Sequence, residues 1–84
     1  MTLNLQKLYH DTPGKKNSIH LNNAGASLMS QQVLDTQISH LELEAAIGGY
    51  EAMAERKKEI ADVYVSIAEL IGANANEIAI VENA

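Results

Sequence analysis

Residues 77–84 read EIAIVENA, and within them Ile78, Ala79, Ile80 and Val81 make an unbroken apolar run containing two β-branched residue types. That is the pattern of a short strand buried on both faces of a parallel sheet. Such a strand needs a neighbour on each side, and the remaining sequence offers one other candidate, Ile19–Leu21. The run therefore predicts a sheet whose other strands lie mostly outside these 84 residues.

The length allows one small domain, which buries only about 60–65% of its unfolded surface. Apolar residues make up 46% of the chain, too many for a disordered segment, but aromatic residues make up only 4%. Any core falls to Leu, Ile, Val, Ala and Met, a helix-forming palette. The formal net charge of −5 argues against nucleic acid or an anionic membrane as partner, since both reward clustered Lys and Arg. With no cysteine there is no disulfide scaffold, thiolate metal site or Cys nucleophile. Neither an apolar leader nor a membrane-length apolar stretch is present, so the cytoplasm is the expected location.

Along the chain, Leu3, Leu5, Leu8 and Tyr9 suit a short helical arm. DTPG, residues 11–14, stops it, because Pro13 disfavours helical geometry at Thr12 and Gly14 turns the chain. Lys15–Ser18 reads as a polar loop and Ile19–Leu21 as a brief strand. Asn22–Ser27, NNAGAS, is too small and polar to build core. Ser30 is a good N-cap, with Met29 and Leu34 placed as a hydrophobic staple. Leu34, Ile38, Leu41 and Ala45 then mark one face of a helix from Gln31 to Ile47, ended by Gly48 and Gly49. A second long helix runs from Glu51, with Met53, Ile60, Tyr64, Ile67 and Ile71 on its stripe, and Gly72 closes it. Asn74 and Glu77 are spaced as a capping box around a single turn.

The chemistry-bearing residues are sparse. His10, His20 and His40 do not fall at the spacing of a zinc helix, so they read as surface or half-buried side chains, and no metal site is expected. Ser27 and Ser30 lie near His20 without the frame of a nucleophile elbow. Arg56–Lys58, flanked by Glu55 and Glu59, reads as a solvated face. A small acidic helical carrier or protein-interaction module is a second reading. A carrier needs a serine for a phosphopantetheine arm, normally preceded by Asp, whereas Ser27 and Ser30 follow Ala26 and Met29.

Taken together, IHLNNAGASLMS (19–30), HLELEAAIGGYEA (40–52) and NEIAIVENA (76–84) resemble the N-terminal portion of the class V aminotransferase family, which includes the cysteine desulfurases. The resemblance runs from about Leu3 to Ala84. It implies an α/β parent of pyridoxal-phosphate fold type I, of which this chain is a mostly α fragment with two long helices and two short strands. Residues 1–29 would be the arm, strand and substrate-side loop, 30–72 the two-helix segment, and 73–84 the first strand and phosphate turn of a large domain.

Leu21, Asn22, Asn23, Ala24 and Gly25 match a Leu-Asp-Asn-Ala-Ala motif at the family's substrate side, with Asn for Asp and Gly for the second Ala. The implied substrate-binding residues are Asn23, Ala24, Gly25 and Ala26; the plain alternative is a turn. Glu82, Asn83 and Ala84 fall on the start of the family's phosphate turn, which makes Asn83 and Ala84 the implied cofactor-binding residues. Lys7, Lys15, Lys16, Lys57 and Lys58 match none of the family's Schiff-base lysine positions, so no catalytic residue is expected in this chain. The resemblance implies pyridoxal phosphate as the parent's cofactor, an amino acid or related amine as substrate, and a homodimer. The 84 residues alone are expected to be inactive.

Overall fold

A computed structural model describes residues 2–82, and helix accounts for most of them. Among the described residues the α-helices are α1 (Leu5–His10), α2 (Gln31–Ile47), α3 (Gly49–Glu55) and α4 (Lys57–Ile71). Two single 3-10 turns, Pro13–Lys16 and Ala75–Glu77, follow α1 and α4. The chain divides into two compact units, Met1–Glu42 and Leu43–Ala84.

In the first unit α1 begins at Asn4, whose Oδ1 accepts the Lys7 N–H at 3.0 Å. This satisfies one of the donors that a helix start leaves over. Pro13 then opens the 3-10 turn, where its missing N–H costs nothing. Lys15 and Lys16, expected in a loop, thus sit in a short helical turn. α2 starts where the cap rule places it: Ser30 Oγ accepts the Val33 N–H at 3.3 Å and the Ser30 carbonyl accepts Leu34 N–H at 3.1 Å. Asp11 ties α1 to this start. Its carbonyl accepts the Gln31 N–H at 2.6 Å, and its carboxylate Oδ2 accepts from Lys7 Nζ at 2.6 Å and Gln32 Nε2 at 3.0 Å.

In the second unit the expected single helix from Glu51 to Ile71 is two. Arg56 leaves helical geometry at φ −100°, ψ 20°. The ladder resumes at once, with Arg56 N–H on the Ala52 carbonyl and Ile60 N–H on the Arg56 carbonyl, both at 3.0 Å. Nothing in the residue type marks the break, because arginine is a good helix former. At the other end of α4, Gly72 takes the left-handed conformation (φ 73°, ψ 34°). Ala73 N–H reaches the Ala68 carbonyl at 2.9 Å, the six-to-one bond of a Schellman ending. Glu77 accepts the Asn74 N–H at 2.8 Å, the carboxylate half of the expected capping box.

No strand is present among the described residues, in contrast to the two expected. Ile78 has extended backbone (φ −101°, ψ 130°), but Ile80 and Val81 remain 56% and 72% exposed. Ile19 and Leu21 are more exposed still. The physical reason is that a strand is stabilised by a neighbour's N–H and C=O groups, and these two segments form no ladder. The chain's mostly α character stands without a sheet.

Burial is correspondingly slight. Only Ala52 on α3 and Ala68 on α4 are buried among the described residues. The α4 stripe is laid out as the periodicity predicts, yet Ile60, Tyr64 and Ile67 each keep more than a third of their surface in contact with solvent. An amphipathic face left open in this way loses the burial, about 1.5–3 kcal/mol per large apolar side chain, that ordinarily fixes a helix in place.

Candidate functional site

The loop Asn22–Ala26 is held by three hydrogen bonds. The Asn22 carbonyl accepts the Ala26 N–H at 3.2 Å. Its side-chain Oδ1 accepts the Gly25 N–H, also at 3.2 Å, so the asparagine imitates a backbone turn. His20 closes the loop from outside, with Nε2 2.7 Å from the Ala26 carbonyl. A carbonyl can only accept, so Nε2 carries the proton and, in the neutral ring, Nδ1 is left as an acceptor.

Gly25 does not have positive φ; among the described residues only Gly48 and Gly72 do. Its need for smallness is local instead, since an added Cβ would come within 2.8 Å of Asn22 Nδ2. A side chain there displaces the amide that holds the turn.

Beside the loop lies a surface cleft of about 320 Å³. α1 contributes Leu8 and Tyr9, the 3-10 turn Lys15, the returning chain His20 and Asn23, and Leu28 closes one wall. The turn at Pro13 brings Lys15 back over α1, where Nζ stands 4.8 Å from the Tyr9 ring centroid, a cation–π contact. Gly14 lets Leu28 approach: a Cβ at this glycine would meet Leu28 Cδ2 at 2.8 Å. Thr12, at the cleft's edge, spends its hydroxyl on the Leu8 carbonyl at 2.7 Å.

Of the four residues expected at a substrate side, Asn23 lines the cleft, whereas Ala24, Gly25 and Ala26 form the exposed turn next to it. Tyr9, Lys15 and His20, which residue spacing did not single out, share the cleft with Asn23. Asn83 and Ala84, expected at a cofactor phosphate, lie outside the described residues. The two serines are engaged in local roles, Ser30 as the cap of α2 and Ser27 Oγ donating to the Leu28 carbonyl at 3.1 Å.

Among the described residues no group of three His, Asp or Glu side chains is placed to hold a metal ion, and no helix is long and apolar enough to cross a membrane. Comparison with protein-family models, with curated proteins and with solved structures gives no match to this chain.

Proposed function

We propose that these residues form the N-terminal, substrate-side segment of a cytoplasmic, homodimeric pyridoxal-phosphate enzyme of the class V aminotransferase family, acting on an amino acid or related amine. The observation that carries the reading is the Asn22–Ala26 loop. It is a short, exposed turn of small residues, pinned by Asn22 and His20 and set beside a cleft that offers a cation, an aromatic face and an amide. Such a turn lets a small polar substrate come close to backbone, and the cleft supplies groups that could orient it. The open apolar face of α4 fits the same proposal, because a large catalytic domain would cover it.

The proposal places the lysine that holds the cofactor outside positions 1–84. Lys7 and Lys58 are held in ion pairs with Asp11 and Asp62, and the proposed phosphate contacts, Asn83 and Ala84, lie outside the described residues.

The test is made on protein from the natural source, captured with an antibody against residues 31–47, reduced with borohydride and analysed by mass spectrometry. A polypeptide containing these residues and carrying a phosphopyridoxyl-lysine outside positions 1–84 is the expected result. Protein without that adduct would overturn the proposal. A phosphopantetheine arm on Ser27 or Ser30 would replace it with the carrier reading.

A further inference from the structure

We infer that the cleft between α1 and the Asn22–Ala26 loop is a binding site for a small monocarboxylate with an apolar tail, and that Lys15 is the residue that holds the carboxylate. The inference rests on the cleft's own chemistry and does not depend on the cofactor proposal.

Three observations carry it. The walls are largely apolar, with Leu8, Leu28 and Tyr9 among the lining residues, and they favour a hydrocarbon tail. The volume of about 320 Å³ lies at the low end of the roughly 300–1,000 Å³ typical of small-molecule sites, which suits a compact ligand. The charge is positive and fixed in position. An ammonium has three donors, and resting one side of it on the Tyr9 face leaves donors for a carboxylate.

The local field favours the same sign. Although the whole chain is acidic, residues 1–30 hold Lys7, Lys15 and Lys16 against a single acid, Asp11. That acid is already engaged by Lys7 and Gln32, and no acidic side chain lines the cleft among the described residues. Lys15 thus faces the cleft without a competing carboxylate. Asn23, also lining the cleft, adds an amide that can donate or accept. A larger anion such as a polyphosphate would ask for several convergent cations, and the cleft has one fixed cation.

The experiment titrates the ¹⁵N-labelled 84-residue chain with sodium hexanoate at constant ionic strength, using 1-hexanol and sodium acetate as controls, and follows amide resonances. Hexanoate should shift the amides of residues 8–28 saturably, with a dissociation constant on the order of 10 mM, the range that fragments of this size reach. Hexanol, which keeps the tail, and acetate, which keeps the charge, should each bind about tenfold more weakly, a difference of about 1.4 kcal/mol. Lys15→Met should weaken hexanoate about tenfold, while Lys15→Arg keeps it within about threefold. Hexanol binding as tightly as hexanoate would overturn the inference without recourse to any variant. So would shifts centred on α3 and α4, the absence of saturation, or a Lys15→Met chain that binds hexanoate unchanged.

Discussion

Gly49→Ala and Gly72→Ala place the same methyl group in the same kind of space, and the structure predicts opposite signs for them. At neither position would the new Cβ meet any atom within 4 Å, so packing is removed from the comparison. What remains is backbone conformation. Gly49 opens α3 without positive φ. Alanine there restricts the unfolded chain and suits the helix, a gain of about 0.5 kcal/mol. Gly72 sits at φ 73°, where an L side chain crowds its own backbone at a cost of about 1 kcal/mol or somewhat more. In a domain of this size, about 1 kcal/mol moves a thermal midpoint by roughly 4–8 °C. Helical circular dichroism should therefore melt about 3 °C higher for Gly49→Ala and about 5 °C lower for Gly72→Ala. Gly72→Asn should recover part of the loss, because asparagine tolerates the left-handed region better than alanine does. Midpoints that move in the same direction for the two alanine variants would refute the reasoning, since steric room does not separate the two positions and φ does.

Asp11 should titrate below the ordinary aspartate range, because the hydrogen bond from Lys7 and then that from Gln32 stabilise its charged form. A depressed folded-state pKa means that this tie stabilises the fold above the unfolded-state pKa and is lost as pH falls through the folded value; carboxyl ¹³C shifts should show it, and Lys7→Met should move the midpoint upward. Ile80→Lys should make the chain more soluble with nearly unchanged helical dichroism, because Ile80 is 56% exposed in a segment without strand partners; cooperative loss of both long helices would show instead that the segment already sits in a complete core. In an enzyme carrying these residues, Gly25→Val should leave the cofactor's absorbance intact and lower turnover about tenfold, equivalent to about 1.4 kcal/mol; the cause would be displacement of the Asn22 amide rather than backbone strain. Unchanged turnover would reduce the loop to a structural turn.

How legible the fold was in the sequence depended on the range of the interaction concerned. Ser30, Gly72 and the Asn74–Glu77 pair act on backbone groups within a turn of themselves, and their residue types declare those roles. On the face expected for α2, Ile38 and Leu41 stay exposed, whereas the stripe of α4 follows from periodicity in the same local way. Burial and pairing do not. IAIV has the composition of a buried strand, but composition states only what the segment could satisfy if neighbours were supplied, and the described chain supplies none. Arg56 is a different kind of gap, a break among good helix formers that no capping or breaking residue announces.

The site was readable in its turn and hidden in its walls. NNAGAS identifies itself as tight and polar, so Asn23 could be placed near any ligand, but the bond that closes the loop joins His20 to Ala26 through a ring nitrogen and a carbonyl. A contact of six residues in an aperiodic segment leaves no repeating signature. The same is true of Lys15 folding back onto Tyr9, which depends on Pro13 initiating a turn. Gly14 makes the point most sharply. In sequence it is half of a Pro-Gly stop signal; in the fold its missing side chain is where Leu28 rests, with Cδ2 only 2.8 Å from the position a Cβ would take. Any side chain at residue 14 must therefore push Leu28 aside and deform the cleft wall, which links the end of the first helix directly to the geometry of the proposed carboxylate site.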